Sequence, residues 1–300
     1  MSPRHQGPIR HPFGRFIHQR VVPNRAVTSV GRLISTALPA KRPELTSQVL
    51  PIDGLPARLD GLRLLHVTDL HVRDGSGPSA WLPDIASALT YDLTLYTGDF
   101  IDGDEDIEPL TALLSAMPDR VPAYAVLGNH DYWSLSEEPT RNDAARLERA
   151  LTGLGITVLR NSAAPAWDGR VYVVGVDDPV TGSDDIGAAM ATVPTDAACL
   201  VLAHSPDIVL RLGGHRPILV LAGHTHGGQV RLPMVGAVVN MTSLPRRLTM
   251  GYHVHQGTPL FVSRGIGYSG IDIRFRCPPQ IALLELRSGD SRKPRRIGTE

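Results

Sequence analysis

RLLHVTDLH, residues 63–71, is an apolar run that ends in small and polar residues and then presents Asp69 and His71. The same construction recurs along the chain. LTLYTGD (93–99) ends on Asp99, and AYAVLGNHD (123–131) ends on Asn129, His130 and Asp131. LVLAHSP (200–206) carries His204, and LVLAGHTH (219–226) carries His224 and His226. Short unbroken apolar runs bounded by turn residues read as strands covered on both faces. In open α/β sheets, sites assemble beyond the carboxyl ends of strands, so five such ends can converge on one point.

The residue types set the chemistry. Asp, His and Asn in mixed proportion are ligands for divalent metals, and two such ions close together can clamp a phosphoryl group. In an extended segment residues i and i+2 lie on one side, so Asp69 and His71 can share an ion, as can His224 and His226. Asp99, directly after Gly98, suits a carboxylate that bridges two ions. Asn129 offers a neutral carbonyl oxygen, which suits a hard cation without adding charge. A single histidine at a strand end is more often packed than ligating; five clusters in order are hard to explain by packing alone.

Outside these clusters the chain reads as one α/β body. Strands are expected near 46–52, 63–67, 93–97, 123–127, 157–159, 171–176, 200–203, 218–222, 260–263 and 281–286. Helices are expected near 81–89, 107–116 and 142–154, the last capped by Asn142 or Asp143 and stopped by Gly155. Residues 1–43 form a basic arm, with eight Lys/Arg and no acid, leaving 22 basic against 30 acidic residues in the rest. Its proline content and weak periodicity predict disorder. A solvated tail, contact with an anionic membrane helped by residues 26–38, and an organelle transit peptide are its three readings. No run of about 18 apolar residues argues a transmembrane helix. The expected organisation is the arm at 1–43, a catalytic domain at 44–286 and a polar tail at 287–300. The two cysteines form no disulfide framework or zinc-finger spacing, and Cys199 reads as a buried thiol.

The motifs D-x-H, G-D-x-x-D, G-N-H-D, a lone His and G-H-x-H resemble those of the calcineurin-like metallophosphoesterase superfamily. The strings VLGNHDYW, LAGHTHGGQ, VSRGIG and RCPP are similar to a bacterial subgroup of small phosphodiesterase-like members. Gln280 departs from that subgroup, where an acidic residue is expected. The resemblance implies an α/β four-layer α-β-β-α sandwich with two mixed sheets. It implies one metal on Asp69, His71, Asp99 and His226, and a second on Asp99, Asn129, His204 and His224, with Asp99 bridging. His130 would be the catalytic, non-ligand histidine that stabilises phosphoryl charge or protonates the leaving alkoxide. Asp102 and Asp131 would orient imidazoles.

The function so implied is a hydrolase of phosphoric ester bonds, attacking a phosphodiester, phosphomonoester or pyrophosphate with a metal-bridging hydroxide. The alternative is a scaffold on the same fold that has lost catalysis. Manganese, iron, zinc or cobalt suit the ligand set better than magnesium or calcium. The substrate is a small molecule or a lipid headgroup, chosen by loops near 73–79, 132–141 and 231–251. The expected location is cytoplasmic, with peripheral membrane contact through the arm; no specific nucleic-acid binding is expected. Arg264 has two readings, a substrate phosphate contact or a structural ion pair. His253 and His255 read as a half-exposed strand face and His66 as a packed residue. His5, His11 and His18 are too far apart to bind a metal locally.

Overall fold

The computed structural model describes residues 42–73, 77–133, 142–270, 272–290 and the backbone of Arg295–Arg296. Almost all of the basic arm, and with it the membrane and targeting readings, lies outside the described residues. Among the described residues, fifteen strands build two large mixed sheets and one small hairpin. The first sheet has the order β15-β1-β14-β2-β3-β4-β5. Its members are β1 (Glu44–Ile52), β2 (Arg63–Val67), β3 (Leu93–Thr97), β4 (Ala123–Val126), β5 (Ile156–Val158), β14 (Gln280–Ser288) and β15 (Arg295–Arg296). Strands β2 to β5 run parallel, and β14 pairs antiparallel with β2. The second sheet has the order β12-β13-β9-β8-β7-β6. Within it β7 (Val171–Gly175), β8 (Cys199–Leu202), β9 (Leu219–Ala222) and β13 (Thr258–Val262) are parallel, while β6 (Ser162–Ala166) and β12 (Gly251–His255) pair antiparallel at the edges.

Side-chain alternation along these strands sorts apolar residues into three layers. Leu64, Leu93 and Leu95 of the first sheet meet Leu200, Leu202, Leu221 and Phe261 of the second in a core between the sheets. The opposite faces of the same strands, including Leu65, Val67 and Tyr96, are covered by helices α1 (Leu82–Ser87), α2 (Ile107–Ser115) and α4 (Ala144–Gly153). Val174, Cys199, Val201 and Val220 face outward from the second sheet. They pack under α5 (Ile186–Met190) and the turns carrying Ile208 and Leu248. Strands buried on both sides explain the unbroken apolar runs, each fully buried Leu contributing about 1.5–3 kcal/mol. The result is the four-layer metallophosphoesterase sandwich.

Local signals hold where they were readable. Asp143 caps α4 by accepting the amide of Arg146 at 3.0 Å. Asn142 is not the cap; its Nδ2 donates to the His130 carbonyl at 2.7 Å. β14 runs to Ser288, and Arg295 and Arg296 pair antiparallel with Val49 and Gln48, so the tail supplies a sheet edge. Cys199 and Cys277 are buried free thiols, and burial raises Cys199 to about 11. His253 and His255 lie part-buried on edge strand β12. Among the described residues, no helix is long and apolar enough to cross a membrane.

His66 is fully buried in β2, its Nε2 2.9 Å from Thr97 Oγ1 and its ring edge-on to Phe261, while Nδ1 has no partner. Burial pushes its pKa from 6.5 down to about 3. A folded pKa below the unfolded one contributes stability above pH 6.5 that is lost as pH falls toward 3. Replacing His66 with Gln, which does not titrate, is expected to flatten the acid limb of the stability curve across that window. The change should reach about 1.4 kcal/mol per pH unit. Denaturant midpoints from pH 7 downward check it, and parallel acid limbs for the two proteins would reject it.

Candidate metal centre

Each motif residue leaves the C-terminal end of a parallel strand. Asp69 and His71 follow β2, and Asp99 follows β3. Asn129, His130 and Asp131 follow β4 in the single turn α3 (Asn129–Tyr132), while His204 follows β8 and His224 and His226 follow β9. Asp69, His71, Asp99, His224 and His226 all take positive φ, between 42° and 68°. Backbone strain of this kind costs about 1–3 kcal/mol per residue and persists where surrounding structure over-determines it. Here neighbouring glycines allow the close approach: a Cβ on Gly128 would collide with the Asp99 carboxylate, and one on Gly223 with that of Asp69.

The donors meet in two groups that share one carboxylate. Asp69, His71, Asp99 and His226 bring ligand atoms within 4.8 Å of one another, and so do Asp99, His204 and His224. His71 Nε2 lies 3.1 Å from His226 Nε2 and 3.5 Å from Asp99 Oδ2. His204 Nε2 lies 3.1 Å from the same Asp99 oxygen and 3.2 Å from His224 Nδ1. Every one of these side chains is buried. Both groups draw on the two sheets: His226, and His204 with His224, come from the second, while Asp69, His71 and Asp99 come from the first.

Asn129 Oδ1 is buried without a hydrogen-bond partner, an acceptor that costs about 1–3 kcal/mol unless something electropositive meets it. Two imidazoles are aimed by partners behind them. His71 Nδ1 lies 2.7 Å from Asp102 Oδ1, and His204 Nδ1 lies 2.7 Å from the Thr97 carbonyl. Carbonyl and carboxylate only accept, so each Nδ1 carries a proton and turns Nε2 toward the cluster. This donor set fits divalent cations.

The electrostatics agree. Burial works against charge on His204, yet the Asp99 carboxylate overrides it and holds the imidazole at about 10. Burial likewise opposes His130, and Asp99 with Asp102 raises it to about 9. Burial and then His204 press His224 down to about 3, while burial, His71 and Arg274 hold His226 well below its usual range. Burial would raise Asp99, but His204 and His130 keep it well below the carboxylate range. Carboxylates that hold imidazolium protons so firmly are a binding site for positive charge, and cations taking that place would release protons.

Asp102 lies under both His71 and His130, its Oδ1 also 3.0 Å from His130 Nδ1, and the two rings meet edge to face at 4.7 Å. The expectation that Asp131 orients an imidazole is corrected. Its carboxylate accepts the amides of Asp99, Phe100 and Gly128 at 2.8–3.0 Å, so it folds the two ligand loops together through their backbone. Arg264 donates from Nη2 to Glu44 Oε2 at 2.9 Å, the ion pair that was one of its two expected roles. Gln280 accepts the Arg264 amide and donates to Thr46 Oγ1, a double role that an acidic residue could not fill.

Three neighbours escaped the sequence reading. Arg73 donates to the second oxygen of Asp102 at 2.9 Å and, through Nη1, to Asp272. Arg274 is buried with Nη2 3.1 Å from His226 Nδ1. Asp178, just past β7, is fully buried with Oδ1 unpartnered, and burial raises it to about 6. For the two arginines only the sequence offered a signal, a charge two residues from a motif residue or within RFRCPP, and neither identifies a partner.

Comparison with known proteins agrees with this geometry. Residues 62–228 match the family model described as calcineurin-like phosphoesterase. The chain is 34% identical over 240 residues to the uncharacterized metallophosphoesterase YkoQ of Bacillus subtilis, covering 78% of this chain and 86% of that one. It is 30% identical over 234 residues to the phosphodiesterase YaeI of Escherichia coli, covering 75% and 82%. It is 27% identical over 282 residues to the UDP-2,3-diacylglucosamine pyrophosphatase LpxG of Chlamydia trachomatis, covering 76% and 84%. With a family match over more than half its length and the motif residues gathered at one buried point, the chain belongs to the calcineurin-like phosphoesterase family of metal-dependent hydrolases.

Proposed function

We propose that residues 44–286 form a binuclear metal-dependent phosphoesterase that hydrolyses a phosphodiester, with phosphomonoesters and pyrophosphates as related substrates. The observation that carries this reading is the position of Asp99, shared by both donor groups, together with the orphaned oxygen of Asn129 in the turn after β4. Asp69, His71, Asp99 and His226 would hold one cation, and Asp99, Asn129, His204 and His224 the other. Cations so held supply a water acidic enough to attack phosphorus and charge that neutralises the phosphoryl oxygens. Mixed nitrogen and oxygen donors favour manganese, iron, zinc or cobalt.

The protein's own groups do the rest. With Nδ1 tied to Asp102, His130 keeps Nε2 free to deliver a proton to the departing oxygen. Asp102 holds that imidazole and His71 together; burial would raise its carboxyl, but the two histidines keep it well below the usual carboxylate range. Asp131 keeps the loops of Asp99 and Gly128 at fixed separation. The burial of these groups excludes bulk water and strengthens every charge interaction. A phosphodiesterase and a pyrophosphatase among the relatives support ester or anhydride substrates, small or attached to a lipid headgroup. A cytoplasmic enzyme whose arm, residues 1–43, touches anionic membrane completes the proposal.

The test is a substrate panel: bis(nitrophenyl) phosphate, nitrophenyl phosphate, a nucleotide diester, glycerophosphodiesters and a nucleoside diphosphate sugar. The full chain is assayed after chelation and after reloading with manganese, iron, zinc, cobalt, magnesium or calcium. Diester hydrolysis that vanishes on chelation and returns best with a transition metal is expected. Bound metal with no turnover on any substrate would overturn the enzyme and favour the scaffold.

A further inference from the structure

Five of the nine large apolar side chains exposed among the described residues gather on one feature. It is the hairpin of β10 (Arg231–Leu232) and β11 (Gly236–Ala237), whose tip is Pro233, Met234 and Val235. Met234 is 106% exposed, Val235 54%, Leu232 45% and Val238 41%. Phe275, at 51%, lies beside its base, where Val230 bridges to Phe275 and Arg231 donates its amide to the Phe275 carbonyl. The tip is also conformationally expensive. Met234 takes φ 64°, a region where Gly or Asn would cost little and an ordinary side chain costs about 1–2 kcal/mol. An apolar residue held there at full exposure is disfavoured in water twice over, and contiguous exposed apolar surface of this kind marks an interaction site.

The charge around it identifies the partner. Residues 208–271 contain no Asp or Glu but six arginines. Of these, Arg246 and Arg247 are exposed on a turn packed against β11; beyond that stretch, Arg276 is exposed next to Phe275. An apolar tip flanked by exposed guanidinium groups fits a surface with an anionic skin over a hydrocarbon interior. The hairpin is joined rigidly to the centre. Arg231 Nη1 donates to the Gly227 carbonyl, next to His226, and Gly228 packs directly on Ala237.

We propose that this hairpin docks the protein on an anionic phospholipid bilayer, with Met234 and Val235 entering the acyl boundary and Arg246, Arg247 and Arg276 meeting the headgroups. Docking there brings the loop that carries His226 to the lipid surface and selects phosphoesters presented at that surface. The docking rests on surface residues alone, and only its substrate consequence rests on the phosphoesterase reading. Failure of turnover would therefore leave the docking intact.

The experiment places an environment-sensitive nitrobenzoxadiazole label on Met234→Cys in the full chain, since Cys199 and Cys277 are buried. The probes are vesicles of phosphatidylcholine alone and of phosphatidylcholine with phosphatidylglycerol. A blue shift and brightening on the anionic vesicles only is expected. Sedimentation with the same vesicles should fall at least about tenfold in the unlabelled Met234→Asp/Val235→Asp variant, and similarly in Arg246→Glu/Arg247→Glu. Binding without any change at the label would place the contact on the basic arm and overturn the proposal. An equal response on neutral vesicles would overturn the anionic partner. A change of oligomeric state in the Asp variant by sedimentation velocity would make the patch a self-association surface instead.

Discussion

Asp99→Asn is expected to lose most of its bound divalent metal and at least about a thousandfold in turnover, because the loss of several kcal/mol of charge stabilisation scales to that factor. Both donor groups contain Asp99, with Oδ2 facing His71 and His204 and Oδ1 accepting the His130 amide at 2.9 Å. An amide is isosteric, so loop geometry survives, yet it removes the one negative charge that both cations would share. Burial magnifies that loss, since no bulk water replaces the charge. Metal per chain by elemental analysis and steady-state rates on a diester measure the effect. Two metals retained with substantial activity would remove Asp99 from the bridging role.

The second large effect separates binding from chemistry. His130→Ala is expected to keep its metal but lose about 10²–10⁴ in kcat, the range for a general acid. His130 lies outside both groups that contain Asp99 and His224 or His226; it joins only His71 and Asp102. Burial opposes charge on its imidazole, yet Asp99 and Asp102 raise it to about 9, an environment that favours the proton-donating form. The loss should shrink for nitrophenolate leaving groups, which need little protonation, and be largest for alkoxides. An equal loss for both would assign His130 to charge stabilisation on phosphorus, whereas loss of metal would make it a ligand.

The strands that position the site were legible because each is buried on both faces, which leaves unbroken apolar runs such as 63–67 and 93–97. The edge strands β6 and β12 left no such trace. SAAPA in β6 is half exposed and tolerates Pro165 because an edge needs fewer ladder bonds. The insertion of β14 between β1 and β2 was equally invisible, since partners such as Glu44 and Gln280 are set by tertiary pairing. At the centre, residue types and spacing indicated the ligands, but not what stands behind them. Arg274 reaches His226 across 48 residues, and Arg73 reaches Asp272 across 199. Asp131 was misread for a related reason: the family resemblance implied an imidazole partner, while the fold turns its carboxylate back onto loop amides.

The straddling of the two sheets by each donor group has a mechanical consequence. All the strand ends that carry ligands lie at one rim of the sandwich, while away from it the sheets are joined by apolar packing and a few isolated hydrogen bonds, such as Tyr124 Oη to the Pro165 carbonyl and Arg58 Nε to the Arg170 carbonyl. A load that pries the sheets apart at the site must defeat charged, directional contacts from both jaws at once. The same load at the far rim meets mainly dispersion and apolar contact, which yield gradually, with only scattered hydrogen bonds to carbonyls among them. The sandwich is therefore a clamp fastened more firmly at one end, with more of its compliance in the rim away from the chemistry.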